Sequence, residues 1–558
     1  MHDTRPLSAA EKIKAASRHL RGSIAEELAD DSPQFGKESA MLLKFHGIYQ
    51  QHDRDVRKAE AKKVHSCMVR VSVPGGRLEA EQFLTLRRLA DTVGDGTLRL
   101  TSRGGVQYHY VGKRDLRGLI RGIQEAGLST LAACGDVVRN VVCTAAPFDS
   151  PEARSLDDWV RLVNRSLKPR THAYAEIWLD GERAASLVAP EEESEPLYGE
   201  TYLPRKFKIA FTREGDNTID VYAEDLAFVA HFDHGEVAGF TFLAGGGMGQ
   251  TNGDRNTFPR VADAIGFIRP EQCLEVAKAA VSIHRDFGDR ANRRHARLKY
   301  ILAERGAGWF RAELAARLGW EIEPPRELVW RRHEDWLGWH RQDAERWFFG
   351  LRVVCGRLAG AILDGVTEAV ERLQSQLRIT PQQNLLFTGL AEEQKPVLEE
   401  ILRCHRIPLP GELPPLLRYS MACPALPTCG LALTDSERVL PSVVESIYQE
   451  TREAGVEGER IHLRMTGCPN GCARPYTAEI GIVGQSPKLY SLYLGGSPLA
   501  TRLASLYTHN VPQEKLGETL RPLLKAWAEE RHPGESFGDY CHRAGVDALR
   551  ARFLEAGQ

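Results

Sequence analysis

The chain has 558 residues, with 73 Lys and Arg against 75 Asp and Glu for a formal charge of −2. That near balance excludes a bulk polycation for nucleic acid, and at roughly 100 to 200 residues per domain the length predicts three to five domains. Hydrophobic residues at 42% and charged residues at 27% exclude a disordered or fibrous chain, and eleven cysteines, an odd number, argue against a closed disulfide framework.

The N-terminus reads MHDTRPLSAAEKIKAASRHL, charged throughout and without the apolar core of a signal peptide. No stretch reaches the roughly 18 uncharged apolar residues that would span a bilayer. A cytoplasmic protein with reduced thiols and no membrane partner is expected, and in that compartment clustered cysteines read as metal ligands. Residues 8–65 predict a charged helical arm with Ser8 as its N-cap.

From Met68 the pattern becomes strand-like (MVRVSV), turns at Pro74-Gly75-Gly76, and continues through the amphipathic helix EAEQFLTLRRLADTVG into the strand TLRLTS. The strand VQYHYV and the helix RDLRGLIRGIQEAG follow. The strands YAEIWLD, FKIAFT and IDVYAEDL are predicted next, then a glycine cluster and a long basic helix around HRDFGDRANRRHARLKYILAERG. The run Arg290 to Arg297 is short and lacks aromatic interleaving, so it reads as a cofactor-facing or solvated helix and not as a nucleic-acid site.

The same order then returns: WFFGLRVVCGRLAG, the helix AILDGVTEAVERLQSQ, LRITPQQNLLFTGL and the helix EEQKPVLEEILRCH. Aligning Leu98-Arg99-Leu100-Thr101 with Leu377-Arg378-Ile379-Thr380 gives an offset of 279, half the chain length. This self-similarity predicts an internal duplication. Two β-α-β-β-α units recurring by chance is the alternative. The expected organisation is an arm at 1–65, a first ferredoxin-like repeat at 66–150, a mixed α/β domain at 151–330, a second repeat at 331–412 and a second α/β domain at 413–558.

That last region holds Cys423 and Cys429, with five residues between them in ACPALPTCG, and Cys468 and Cys472, with three between them in GCPNGCARP. Four thiolates from two loops meet the demand of a [4Fe-4S] cube, one Cys per iron. Four cysteines also suit tetrahedral Zn²⁺, although zinc ribbons use tighter knuckles, so a zinc-stabilised binding protein is the non-enzyme alternative. The cysteines at 67, 134, 143, 273, 355, 404 and 541 have no ligand spacing and read as core residues. In FKIAF, strand alternation puts Lys206 and Lys208 on one face and Phe207, Ile209 and Phe211 on the other.

MACPALPTC and TGCPNGCARP, together with LPRKFK and GDVVRNVVC, resemble the sulfite and nitrite reductases that couple sirohaem to a [4Fe-4S] cluster, and the resemblance runs over nearly the whole chain. It implies an α+β fold of duplicated ferredoxin-like half-domains, each followed by a mixed α/β domain that binds sirohaem or the cluster. It also implies that Cys423, Cys429, Cys468 and Cys472 hold the cube, with Cys472 bridging to the sirohaem iron, and that Arg70, Arg139, Lys206 and Lys208 bind the substrate anion. Arginine suits bidentate contact with an oxyanion, and lysine can also deliver a proton when its pKa is lowered.

Sirohaem carries many carboxylates, so its cradle should be basic. Arg99 and Arg103, alternating with Thr101, and Gln107 and His109 on VQYHYV are the candidate partners. Gly246 and Gly247, within the run Gly245 to Gly249, could present main-chain N–H groups to an acid. Lys299 and Asn470 are carried over from the family. The resemblance implies assimilatory reduction of sulfite to sulfide, with ferredoxin–nitrite reductase as the alternative; Lys208 favours sulfite, because related nitrite reductases usually carry a neutral residue there. No segment supplies a nicotinamide or flavin site, so a separate donor is expected. The wording of the motifs favours ferredoxin over an NADPH-dependent flavoprotein, and the absence of a plastid transit composition points to a bacterial source.

Overall fold

A computed structural model of the chain describes residues 5–55, 64–148, 150–171, 173, 178–179, 182–183 and 195–555. The N-terminal segment opens with α1 (Ala9–Ala15); Ser8 stands at its N-cap position, but its side chain makes no capping hydrogen bond. The segment is not the wholly helical arm that its charge pattern predicts. After a left-handed Gly47 it ends in β1 (Ile48–His52), which pairs antiparallel with β2 (His65–Val71). Tertiary pairing, and not local propensity, makes this strand.

The first half continues through β3 (Arg77–Leu78), α2 (Ala80–Thr92), β4 (Leu98–Leu100), β5 (Val106–Val111), α3 (Leu116–Glu125) and β6 (Val142–Cys143). It then runs through α4 (Pro151–Ser166), β7 (Ile209–Arg213), β8 (Leu226–Asp233), β9 (Glu236–Ala244), β10 (Asp263–Ile268), α5 (Cys273–Phe287) and α6 (Leu298–Leu318). The second half repeats the order. Its first unit is β11 (Gly338–Arg341), β12 (Arg346–Leu351), β13 (Arg357–Leu358), α7 (Ala361–Leu373), β14 (Gln376–Ile379), β15 (Leu385–Ala391) and α8 (Gln394–Cys404). Its second is β16 (Ser420–Ala422), α9 (Leu440–Glu453), β17 (Leu463–Thr466), β18 (Ile480–Ser486), β19 (Leu489–Leu494), β20 (Ser505–Pro512) and α10 (Leu516–Glu530).

Each half contributes two sheets of matching topology. The ferredoxin-like sheets run β1-β2-β5-β4-β13 and β11-β12-β15-β14-β3, and the α/β sheets β10-β9-β8-β7-β6 and β16-β17-β18-β19-β20. The end strands β13 and β3 are exchanged: β13 of the second half completes the first sheet beside β4, and β3 of the first half completes the second beside β14. The ferredoxin-like halves consequently share one hydrophobic core, whereas each α/β domain keeps its own.

Two glycines make the exchange possible. At Gly76 (φ 74°) an added Cβ would strike the carbonyl oxygen of Ile379, and at Gly356 (φ 71°) it would strike that of Leu100. Ion pairs reinforce the exchange in the same crossed sense. Arg99 of the first half donates to Glu437 of the second at 2.9 Å, and Arg378 of the second donates to Asp157 of the first at 3.0 Å.

Two predicted elements differ. IDVYAEDL is not a strand: Asp220 adopts a left-handed conformation (φ 57°), a single 3₁₀ turn spans Val221–Ala223, and β8 starts only at Leu226. The long basic helix is broken between Phe287 and Leu298, where the chain passes through a 3₁₀ turn at Arg293–His295. Most of YAEIWLD lies outside the described residues. Among the bystander cysteines, Cys404 is exposed on α8 and not in a core, while the other six are buried. All eleven are free thiols, and no helix of the described residues is long and apolar enough to cross a membrane.

Gly76→Ala and Gly356→Ala are each expected to lower stability by about 2 kcal/mol or more, since both a disfavoured φ and a backbone clash are imposed. Urea denaturation followed by circular dichroism measures it; an unshifted midpoint would mean that the exchanged strands are not closely packed.

Candidate active site

Four of the predicted cations converge where the first α/β domain meets the ferredoxin-like sheet. Arg70, on β2, donates through Nη1 to Cys134 Sγ at 3.0 Å. With the Gln107 amide turned so that its oxygen faces Arg70, Gln107 accepts from Nε at 3.1 Å and Nη2 at 2.6 Å. Arg139 donates twice to the Gly135 carbonyl, at 3.2 and 3.1 Å, and hydrogen-bonds Tyr49. Lys206 has neither an ion pair nor a hydrogen bond among the described residues; burial first, and then Arg297, Arg139 and Arg205, push its pKa well down. Lys208 Nζ lies 3.9 Å from Glu224. Burial outweighs that carboxylate and brings its pKa to about 8. The alternation read in FKIAF holds: Phe207, Ile209 and Phe211 are fully buried, and both lysines stay partly open.

Behind these cations stand buried carboxylates. Asp225, fully buried, accepts from Arg297 at 2.8 to 3.0 Å and from the Lys208 backbone N–H at 2.9 Å. Glu224 accepts from Arg103 Nη1 at 2.7 Å. Asp136 is paired with Arg293 at 2.6 Å and lies 3.8 Å from Lys14 of α1, which anchors the N-terminal arm against the pocket. Burial would raise the Asp136 pKa, but Arg293 and Lys14 prevail and hold it at about 2.

The four motif cysteines come together at the C-terminal ends of β16 and β17. The parallel strands carry MAC and MTGC side by side, in register from Ser420 opposite Leu463 to Ala422 opposite Met465. Gly467 N–H points to Cys423 Sγ at 3.4 Å and Asn470 Nδ2 to Cys468 Sγ at 3.4 Å. Burial first, and then the neighbouring thiols, raise the pKa of Cys423, Cys429 and Cys468, the last to about 11. Four thiols that oppose one another's ionisation need a cationic group between them. Among the described residues no group of three or more His, Cys, Asp or Glu is drawn together as a single metal ion would require. A tetrahedral zinc site needs four sulfurs about 2.3 Å from one point; a cube spreads one thiolate over each of four irons. Four thiols from two loops supply the one ligand per iron that a cube needs. Cys472 is the exposed member, and its charge reaches Lys206, so the cysteine loop and the cation pocket face each other.

The residues expected to cradle sirohaem divide into two groups. His109 is 2% exposed with both ring nitrogens unpartnered, and burial first, then Arg357, Arg99 and Arg70, push its pKa well down. It remains a neutral imidazole able to donate or accept, as a carboxylate-rich macrocycle requires. Others already have partners. Arg99 holds Glu437 and the Ala422 carbonyl, and Arg103 holds Glu224 and the carbonyls of Asn140 and Ile209. Lys299, at the start of α6, donates to the carbonyls of Gly247, Gly249 and Phe258, and burial lowers its pKa to about 7. Cβ atoms at Gly246 and Gly247 would press on the Glu224 carbonyl and on Arg297 and Lys299, and Gly249 lies against the Asn470 backbone. The glycine run thus packs tightly between the two domains, beside the cysteine loop.

Several residues of the site carry no sequence signal. Tyr49 sits on β1, within a segment that reads as helical. Asp136, Glu224 and Asp225 look like surface acids until the fold buries them against arginines. Arg205 and Arg297 were within reach, since each lies within two residues of a predicted lysine.

The family profile described as "Nitrite and sulphite reductase 4Fe-4S domain" matches residues 159–322, and "Nitrite/Sulfite reductase ferredoxin-like half domain" matches 60–126 and 340–404. The first match falls on the first α/β domain, and the four cysteines lie in its repeat. The chain is 44% identical over 553 residues to the sulfite reductase [NADPH] hemoprotein beta-component of Myxococcus xanthus (strain DK1622), covering 98% of each. It is 42% identical over 572 residues to the sulfite reductase [ferredoxin] of Synechococcus elongatus (strain ATCC 33912 / PCC 7942 / FACHB-805), covering 99% of this chain and 92% of that one. The structure of Mycobacterium tuberculosis NirA protein superposes with a TM-score of 0.80 at 24% identity, covering 98% of each chain, which shows a common fold.

Asp136→Asn is expected to cost about 3 kcal/mol near neutrality, because it leaves Arg293 and Lys14 without their carboxylate. The folded pKa of Asp136, about 2, lies below the unfolded value near 3.9. Its contribution is therefore present above pH ~4 and lost as pH falls towards 2. Urea midpoints of wild type and variant should differ at pH 5 and draw together at pH 3; a constant gap would refute the pairing.

Proposed function

Because the chain belongs to the nitrite and sulphite reductase family, whose members couple sirohaem to a [4Fe-4S] cluster, we propose that it reduces sulfite to sulfide with electrons from a separate ferredoxin or NADPH-dependent flavoprotein. The observation that supports the choice of substrate is the Lys206–Lys208 pair on one face of its strand, with Arg139 and Cys472 both near enough to act on Lys206. Nitrite carries one negative charge and two oxygens. Sulfite is a dianion with three, and a second ammonium suits it.

Cys423, Cys429, Cys468 and Cys472 would hold the cluster, with Cys472 reaching towards the sirohaem iron; His109 and the basic residues near it would face the macrocycle's carboxylates. When bound, the coupled centre supplies electrons and a site for the sulfur atom. The protein's own task is to hold the anion and move protons. Arg139, whose Nε and Nη2 are turned back onto Gly135, keeps its remaining donor capacity for an oxyanion, as a planar guanidinium can. Arg70 is braced by Gln107 and Cys134, so its fork is fixed before the anion arrives.

Sulfur passing from +4 to −2 takes six electrons and sheds three oxygens as water, so each oxygen must be protonated. Lys208, with a pKa of about 8, is charged at neutral pH and close enough to its pKa to release a proton and regain it. Burial and the neighbouring arginines push the Lys206 pKa well down; a newly bound anion would raise it and favour a proton on its amine. The pocket's positive charge also favours capture of a dianion from solvent.

Lys208→Ala should lower sulfite turnover by about a hundredfold or more while the visible spectrum of the bound cofactors persists. Cys472→Ser should lose that spectrum and the iron with it. Assays with reduced methyl viologen should give a higher kcat/KM for sulfite than for nitrite. Undiminished sulfite turnover in Lys208→Ala, or a preference for nitrite, would overturn the assignment.

A further inference from the structure

The duplication supplies an internal control for the substrate pocket. In the α/β domains the two halves align at an offset of 254: Ile209 and Leu463 open β7 and β17, Leu226 and Ile480 open β8 and β18, and the pairs Leu226–Ile209 and Leu463–Ile480 share one register. The turn before each later strand starts from a left-handed residue, Asp220 (φ 57°) in one half and Arg474 (φ 56°) in the other. Lys208 thereby corresponds to His462, and Asp225 to Glu479.

The scaffold around these positions is preserved in both halves. Asp225 accepts from Lys208 N–H at 2.9 Å, and Glu479 from His462 N–H at 2.9 Å. The carbonyls of Lys208 and His462 accept from Leu226 and Ile480, both at 3.1 Å. One position breaks the correspondence. Glu224 has Ala478 as its counterpart, so the half that presents substrate cations carries a carboxylate that the other half lacks. Glu224 is 2% exposed, 2.7 Å from Arg103 and 3.9 Å from the Lys208 ammonium, whose own side chain is 20% exposed.

We propose that Glu224 is a positioning residue that keeps the Lys208 ammonium charged and aimed into the substrate pocket, so that it serves as a proton donor at neutral pH. The proposal rests on the assignment of Lys208 to the reaction. Its backbone is already fixed by Asp225, so Glu224 is not needed to build the strand; what it adds is a negative charge at the end of the side chain. The charged groups around Lys208 are Glu224 and Asp225 from the turn before β8, Arg103 from the loop after β4, and Arg297 from the loop before α6; Lys299, on α6, also feels it. Arg103 and Arg297 oppose its charge, as burial does. Asp225 is engaged by Arg297 in a forked contact, whereas Glu224 gives one oxygen to Arg103 at 2.7 Å and sets the other 3.9 Å from the Lys208 ammonium. Without it, burial and the cationic neighbours are opposed by Asp225 alone, whose charge is already shared with Arg297.

The test combines titration and turnover in the holoenzyme. Acetic anhydride labelling across pH, read at Lys208 by peptide fragmentation, gives the midpoint at which its amine becomes reactive. Glu224→Gln should lower that midpoint by roughly one pH unit or more, and the alkaline limb of kcat/KM for sulfite should move down with it. Glu224→Asp, which keeps the charge, should restore most of both. Cofactor absorbance in each variant registers any loss of the fold around Arg103. An unmoved labelling midpoint in Glu224→Gln overturns the proposal. A lowered midpoint with an unmoved alkaline limb overturns instead the assignment of Lys208 to proton delivery, because the lysine would then titrate without consequence.

Discussion

The carboxylate of Asp220 is the point on which the two halves close. It is buried and left-handed, and it receives Arg464 through two contacts of 2.9 Å, Arg474 at 2.6 Å and His333 at 2.9 Å. Burial would raise its pKa, but the two arginines and the histidine hold it well below the carboxylate range. All three partners belong to the second half. Arg474 is two residues beyond Cys472 and also reaches the carbonyls of Ser102 and Pro381, so the carboxylate fixes the loop that bears the cysteine. Removing one member of such a buried set leaves charge without compensation, which costs several kcal/mol.

The same turn does more within six residues. Asp220 faces the cysteine loop, Glu224 faces Arg103 and Lys208, and Asp225 faces Arg297 and the Lys208 backbone. A single irregular stretch therefore sets the spacing between the cation pocket and the thiolates. Strand alternation would put Asp220 and Glu224 on one face and turn Asp225 to the other, whereas the irregular turn lets all three meet their arginines. The pseudo-twofold relation is visible here too, since Asp220 and Arg474 occupy equivalent positions and pair with each other across the axis. Duplication followed by divergence of charge at one position converts a symmetric contact into an ion pair.

Periodic and short-range features were legible in the sequence. The strand VQYHYV is β5 residue for residue, α2 buries Phe83, Leu86 and Ala90 at helical spacing, and the Leu-Arg-x-Thr match locates the duplication. The cysteine pairs showed themselves by spacing, and the lysine pair by alternation. What escaped depends on chain segments far apart. A two-residue strand such as β13 carries no pattern and exists only because β4, some 260 residues earlier, offers it a free edge. Arg99 reads as a cofactor partner on strand alternation alone, whereas its guanidinium lies against Glu437, 338 residues away. Buried acids are the least legible class, because Asp and Glu are surface residues by default and only the folded arginines reverse that expectation.

The charge pattern also explains how an almost neutral chain can host a strongly cationic pocket. Arginines whose carboxylates are close by, such as Arg293 with Asp136 and Arg297 with Asp225, form a neutralised rim that holds the geometry. Inside it, Lys206 forms no ion pair among the described residues, and Arg139 hydrogen-bonds the Gly135 carbonyl and Tyr49. Burying these cations is unfavourable, and the cost appears in the lowered pKa values of Lys206 and Lys208, caused first by burial and then by the neighbouring cations, with Glu224 and Asp225 opposing the shift at Lys208. In the proposed reaction, an oxyanion bound there would supply negative charge, raise those pKa values and draw protons onto the lysines. The lowered lysine pKa values and the proposed delivery of protons to an oxyanion thus have one electrostatic origin, and the paired rim lets the fold tolerate the buried charge.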